Sequence, residues 1–293
     1  MRVNKGKIKA FLFLLPAIII LLIFVFIPLL ETIFLSFFEW NLLGDLKFVG
    51  FANYVKLFTS PKNWRVLGNT FIYILILLVL NFFLPYLLAF VLEFMLPKFK
   101  EFFKSAFFLP SFISMVVGSI LLNWILNPIF GPVAKLLEQA GLSLPNWAVT
   151  PSLVIVVISL IVSWKVFGYH FIVIIAAMEG INKSLIETAK LDNISNFRLF
   201  KDIVLPLSSY AGLYIFIMSI VSGLQYVYTP ISILTQGGPN SASSNIVYES
   251  YKYSFDLFDI GMGSAMAVIT VVFFVLILAL IFKLSQKVVF YED

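Results

Sequence analysis

Cysteine is absent from the 293 residues, histidine occurs once, and only 12% of the residues are charged. The first absence excludes disulfides, thiolate metal sites and thiol catalysis. The other two remove the clustered carboxylates and histidines on which acid–base or metal-assisted chemistry at a membrane surface depends, so a membrane enzyme is disfavoured and no metal site is expected. The pattern G-x-x-x-x-G-K-[ST] is also missing. The chain therefore has no phosphate-cradling loop of the usual kind and no catalytic residues to nominate. Scarcity of charge excludes a soluble domain too, because soluble domains carry about 25% charged residues. The formal net charge of +5 is modest and sits in connecting loops, which fits membrane flanks and not nucleic acid.

What is present is apolar: 61% hydrophobic and 17% aromatic residues, with a mean hydropathy of +1.03. Runs of membrane-spanning length recur at about 10–30, 66–95, 106–126, 153–178, 207–227 and 265–284. The predicted fold is all-α, a polytopic membrane helical bundle of six transmembrane helices in a single domain, 1–293, with no internal repeat. The first run follows four basic residues but is about twenty residues long and lacks a small-residue cleavage site, so it reads as a retained anchor. Thirteen Lys and Arg residues fall on the side of the N-terminus, the 98–104 loop, the 183–201 loop and the C-terminus, against six on the other side. By the positive-inside rule both termini are cytoplasmic. In the first outer loop, Asn53 is positioned to cap a short interfacial helix with Tyr54, Leu57 and Phe58 toward the membrane surface and Lys56 toward water.

The most informative stretch is a polar interruption, Glu179 to Pro206. Ser184 followed by Glu187 has the spacing of a capping box and predicts a helix from Leu185. Asp192 and Asn193 end it, because Asn tolerates the left-handed conformation found at helix C-termini. Ser195 offers a second N-cap for a helix from Asn196 to about Val204, with Phe197, Phe200 and Val204 on one face. Pro206 suits the first turn of the next span. The segment is a helix, kink, helix unit held outside the bilayer.

Glu187-Thr188-Ala189, then three residues, Asn193, nine residues, Ile203, one residue and Leu205-Pro206 resemble the cytoplasmic coupling-loop signature of binding-protein-dependent ABC importer membrane subunits, E-A-A, three residues, G, nine residues, I, one residue, L-P. Thr188 and Asn193 depart from that signature, and Asn keeps the left-handed kink accessible. Further fragments occur in family order: P-L-L-E-T-I-F-L-S-F, F-V-G-F-A-N-Y, L-G-N-T, the F-F-L-P of Phe107 to Pro110, and L-T-Q-G-G-P ahead of Tyr251 and Phe255. Together they narrow the resemblance to the maltose-type permeases of carbohydrate uptake.

The resemblance implies one half of the translocation pathway of an importer in the cytoplasmic (inner) membrane. Its implied partners are a second homologous permease subunit, an ATPase dimer that uses ATP and Mg, an extracellular or periplasmic substrate-binding protein, a carbohydrate and membrane lipid. Glu187, Thr188, Ala189, Asp192, Asn193, Phe197, Phe200 and Pro206 are the implied ATPase-coupling residues, with Phe197 and Phe200 entering a groove of the ATPase; the alternative for the two phenylalanines is packing against the chain's own spans. ATPase closure then rocks the spans between inward and outward states.

Other readings stay open. Gly237, Gly238 and Pro239 permit a sharp turn that is either a docking surface for the binding protein or an ordinary surface loop. Ser219, Ser222, Gln225, Tyr226 and Thr229 repeat at helical spacing, which suits either contact with a polyol or close packing between membrane helices. Lys165, near the middle of the fourth span, reads as a buried structural cation paired to a carbonyl or a neighbouring helix, and His170 falls on a different face of that helix. An ion-coupled sugar transporter is the alternative, and it requires an intramembrane relay. With Lys165 alone placed to meet an anion, a neutral sugar is expected.

Overall fold

The computed structural model describes residues 5–285, which fall into two compact units. The smaller combines the segment up to Pro61 with Glu249–Val272; the larger holds Lys62–Tyr248 and the segment from Phe273 onward. Arg2 and Lys287, two of the residues used to orient the chain, lie outside the described residues. Among the described residues, five helices are long and apolar enough to cross a membrane: Leu12–Leu35, Pro61–Met95, Pro151–Glu179, Ser209–Thr235 and Ile260–Lys283. They match the expected spans one, two, four, five and six, and the architecture is the expected all-α, membrane-spanning one.

The third expected span is different. Instead of one helix over 106–126 there are two, Pro97–Phe112 and Met115–Ile125, meeting at 106°. Pro110 lies in a tight turn at Leu109–Phe112, Ile113 is extended, and Ser114 caps the second helix by accepting from the Val117 amide. A proline and then a capping serine interrupt the backbone ladder that a straight helix needs, and apolar composition gives no sign of it.

In the smaller unit, span one leads into a two-stranded antiparallel ladder, Phe38–Glu39 with Lys47–Phe48, and then into the helix Ala52–Thr59. Asn53 does not cap that helix. Phe51 holds the cap position, and the Asn53 amide donates to the Ser36 and Phe38 carbonyls, both at 2.9 Å. The chain turns away from helix after Leu35, leaving carbonyls that need donors, and a buried Asn meets that demand. Leu57 is fully buried, the half-buried Tyr54 is hydroxyl-bonded to Ser36 Oγ at 2.7 Å, and Lys56 and Phe58 are exposed.

The larger unit has two apolar clusters. One gathers Tyr86, Phe90, Phe171, Ile174, Ile175, Met178 and Ile215 with Ile186, Ala189, Leu199 and Val204 from the polar interruption. The other surrounds Tyr73, Leu77, Trp147, Val154, Ile158, Val162, Val227 and Ile231. Because loop residues share the first cluster with the ends of three spans, the loop is fused to the bundle and is not a tether. Each of Ile186 and Leu199 contributes about 1.5–3 kcal/mol by leaving water.

Candidate functional site

The polar interruption folds as helix Lys183–Leu191, a kink, and a second helical stretch from Asn196 to Val204. The kink is as expected: Asp192 closes the first helix and Asn193 adopts φ +54°. Ser195 Oγ caps the second helix by accepting from the Arg198 amide at 3.3 Å. The first N-cap is not the expected one. Asn182 takes it, its Oδ1 accepting from the Ser184 amide at 3.0 Å and from Ser184 Oγ at 2.9 Å, so the helix begins two residues before Leu185. Asn is as strong a cap as Ser, and the earlier start lets the Thr188 hydroxyl donate to the Ser184 carbonyl. The Glu187 carboxylate has no hydrogen bond or ion pair among the described residues and faces water.

The two faces of this unit differ. Ala189 is buried, while Glu187, Thr188, Asp192 and Asn193 are exposed. Phe200 lies with its ring 5.1 Å from Phe90 and 6.2 Å from Tyr86, packed on the chain's own span two. Phe197 projects, 71% exposed, and across the kink Leu191 is 82% exposed. Leu191 was not singled out by the sequence; its signal is an apolar residue in the last turn of a short polar helix, immediately before the kink. Pro206 is half-buried in the short turn Leu205–Leu207 that leads into span five.

Two further features anchor the loop. Lys100 pairs with Glu93 at 3.1 Å and Glu179 at 2.8 Å, and Lys104 pairs with Glu179 at 2.5 Å and Glu101 at 3.3 Å. This network ties the end of span two, the start of the broken span and the end of span four. The Tyr86 hydroxyl is bonded to Ser208 Oγ at 2.8 Å and donates to the Ser208 carbonyl at 3.1 Å, where the chain bends into span five. Gly212 is needed beside it, since a Cβ there would lie 2.8 Å from Tyr86 Oη.

On span five the expected polar stripe divides. Ser219 and Ser222 are fully buried and donate to the Ile215 and Met218 carbonyls of their own helix, both at 2.8 Å. Gln225 and Tyr226 are exposed and Thr229 is half-buried. A wide turn at Ser222–Tyr226 adds a residue to the helical repeat and rotates the next turn of helix away from the serine face. The exposed surface also carries a pair the sequence did not reveal. Tyr169 of span four and Tyr214 of span five are about 40% exposed, with their hydroxyls 2.9 Å apart.

In span four, Lys165 Nζ donates to the Ser111 carbonyl at 3.0 Å and to the Ile113 carbonyl, and Ser111 Oγ donates back to the Lys165 carbonyl at 3.0 Å. Gly168 admits the broken span, since a Cβ there would lie 1.9 Å from the Phe107 carbonyl oxygen. The W-K-x-x-G stretch of residues 164–168 is thus the seat of the bend. His170 is on another face, buried, its Nδ1 donating to the Asn81 carbonyl at 2.8 Å, while Asn81 Oδ1 accepts from Ser163 Oγ at 2.7 Å.

At the other end of the bundle, Gly237 has φ +83° and the loop 236–245 folds back onto span two. Asn69 Nδ2 donates to the Ser241 and Ser244 carbonyls at 2.8 and 3.0 Å, Tyr73 Oη to the Ser243 carbonyl at 2.9 Å, and Arg65 Nη1 to the Asn240 carbonyl at 2.9 Å. Gly238 and Pro239 are half-buried, with Gln236 and Asn240 exposed beside them. The L-G-N-T stretch is therefore the clasp of the G-G-P loop.

Residues 86–290 match the family model of the binding-protein-dependent transport system inner membrane component. The chain is 35% identical over 288 residues to the probable ABC transporter permease protein YurN of Bacillus subtilis, covering 97% of this chain and 96% of the relative. It is 26% identical over 265 residues to the sulfoquinovosyl glycerol transport system permease protein SmoG of Agrobacterium fabrum, with 90% and 85% covered. In fold it matches a chain of the bacterial alginate ABC transporter solved in complex with an alginate pentasaccharide-bound periplasmic protein, at a TM-score of 0.85 and 23% identity over 99% and 98% of the two chains. The loop signature, the multi-pass helical architecture and these likenesses agree: the chain belongs to the family of binding-protein-dependent transport system inner membrane components, the permease subunits of ABC transporters.

Proposed function

We propose that this chain is one membrane half of an ATP-driven carbohydrate importer, and that its 179–206 loop docks on a cytoplasmic ATPase. The observation that carries the reading is the division of that loop. One face, Ile186, Ala189, Leu199 and Val204, is built into the core, while Leu191 and Phe197 stand exposed on either side of the kink. Exposed apolar side chains on a polar, rigidly anchored unit suit a partner groove, and the anchoring suits transmission of force to spans two, four and five. Glu187, Thr188, Asp192 and Asn193 shape the docking edge, and Pro206 and Phe200 join the loop to the bundle. The hydrolytic chemistry, with its Mg, then belongs to an ATPase dimer.

The remaining assembly rests on the same reading. A second homologous permease completes the pathway, and a substrate-binding protein delivers carbohydrate to the opposite face, where the clasped 236–245 loop with Gly237, Gly238 and Pro239 offers a rigid docking surface. Both termini are cytoplasmic, in the cytoplasmic membrane. Gln225, Tyr226 and Thr229, with the Tyr169–Tyr214 pair, supply the hydroxyls, amide and aromatic faces that a sugar requires along the path. Two names support this substrate class: one relative is a sulfoquinovosyl glycerol transport system permease, and the structural neighbour is an alginate ABC transporter solved with an alginate pentasaccharide-bound periplasmic protein. An ion-coupled alternative draws little support from Lys165 and His170, both engaged with backbone carbonyls. The test is uptake into proteoliposomes holding the complete complex. Sugar entry that requires ATP and the loaded binding protein sustains the reading; entry driven by a proton or sodium gradient without ATP overturns it.

A further inference from the structure

Lys165 stands at the midpoint of Pro151–Glu179, a helix of 29 residues, which puts its ammonium near the middle of a hydrocarbon layer about 30 Å thick. A charge at that depth requires protein or water around it. It is only half-buried, and among the described residues no carboxylate lies within ion-pair distance of it. The Ser111 and Ile113 carbonyls accept two of its three N–H groups and neutralise none of its charge. Two other observations converge here. The broken span bends opposite Lys165, and irregular backbone at membrane depth is tolerated only where it is buried in protein or lines a water-filled cavity. Tyr169, one turn along on the same helical face, is half-exposed and hydroxyl-bonded to Tyr214.

We infer that Lys165, with the Tyr169–Tyr214 hydroxyl pair, forms a subsite for the acidic group of an anionic carbohydrate, one bearing a carboxylate, sulfonate or phosphate. This rests on the importer reading and deepens it, and it replaces the neutral sugar expected from sequence. The remaining N–H of Lys165 supplies a charge-assisted bond to an acidic oxygen, and the tyrosine hydroxyls supply neutral bonds to the sugar beside it. A neutral sugar leaves that cation without a counter-charge among the described residues of this chain.

The experiment uses the complete importer complex in proteoliposomes, with glucosides carrying a carboxylate, sulfonate or phosphate at carbon six, each beside its neutral parent. ATP-dependent uptake of at least one acidic glucoside at ten times the rate of its parent is expected. Lys165→Gln, which keeps a donor for the carbonyls and removes the charge, is expected to lower that preference at least tenfold while the subunits still co-purify; Lys165→Arg is expected to keep it. Uptake that favours the neutral parents, or a preference that survives Lys165→Gln, overturns the inference and leaves the importer reading standing. Gradient-driven uptake without ATP overturns the importer reading itself, and the inference with it.

Discussion

Lys165 and Ser111 are bonded reciprocally: the lysine ammonium donates to the serine carbonyl at 3.0 Å, and the serine hydroxyl donates to the lysine carbonyl at 3.0 Å. Two helices of different spans thus exchange bonds where one of them breaks. Removing the ammonium leaves the Ser111 and Ile113 carbonyls short of a donor, at a cost of about 1–3 kcal/mol for a buried group. Lys165→Met is expected to lower the thermal midpoint of the purified complex, and Lys165→Arg to restore most of it. An unchanged midpoint for Lys165→Met means that the reciprocal bonds do not clamp the bend.

Gly168→Ala tests the same seat sterically. The added methyl would lie 1.9 Å from the Phe107 carbonyl oxygen, and backbone cannot move aside as a flexible side chain can. Overpacking of this kind costs about 1–3 kcal/mol or more. Poor membrane yield and loss of the folded fraction on size-exclusion chromatography are expected; wild-type yield and stability contradict the close approach.

Asn69→Ala withdraws both amide bonds from the 236–245 loop while leaving the loop's own sequence intact. The loss is expected at about 1–3 kcal/mol, felt locally as faster amide exchange across 240–246. Affinity for the loaded binding protein falls in parallel. Unaltered exchange shows that Tyr73 and Arg65 hold the loop without Asn69.

Tyr86→Phe keeps the ring against Phe200 and deletes only the hydroxyl that reaches Ser208. It is expected to cost about 1 kcal/mol in stability and to lower sugar uptake per ATP hydrolysed. Uptake and hydrolysis that fall in proportion mean that the Tyr86–Ser208 bond has no part in transmission.

The sequence was most legible where local chemistry decides structure. Asn193 and Ser195 mark the kink and second cap because left-handed tolerance and hydroxyl capping are properties of single residues. The spans were legible for the same reason, since length and apolarity are additive along a chain. The 106° bend at 113–114 was not, because a Pro and a Ser within an apolar run are compatible with a kinked or a broken helix, and the choice depends on Lys165, more than fifty residues away. Of the two readings left open for the Ser219 to Thr229 stripe, the buried Ser219 and Ser222 take the packing one, and the division from Gln225 onward follows from a wide turn that changes the helical period midway, which spacing alone does not disclose. Asn53, expected as a cap, is a tertiary donor, while Asn182, which carried no expected role, takes a cap: Asn serves equally as either, and only the fold sets which carbonyls and amides need it. The Tyr169–Tyr214 pair joins two spans 45 positions apart and has no local signature.

The measurement that tests the central claim most directly compares Phe197→Ala with Phe200→Ala in the complete complex, reading ATPase co-purification beside the unfolding midpoint of the membrane subunit. Phe197 is 71% exposed, whereas Phe200 packs 5.1 Å from Phe90. Phe197→Ala is expected to weaken ATPase association at least tenfold with the midpoint unchanged, and Phe200→Ala to lower the midpoint through the about 3–5 kcal/mol cost of emptying a packed aromatic site, less in proportion to its partial exposure. ATPase association that is indifferent to Phe197→Ala, with the subunit folded, contradicts the assignment of the 179–206 loop as the coupling element.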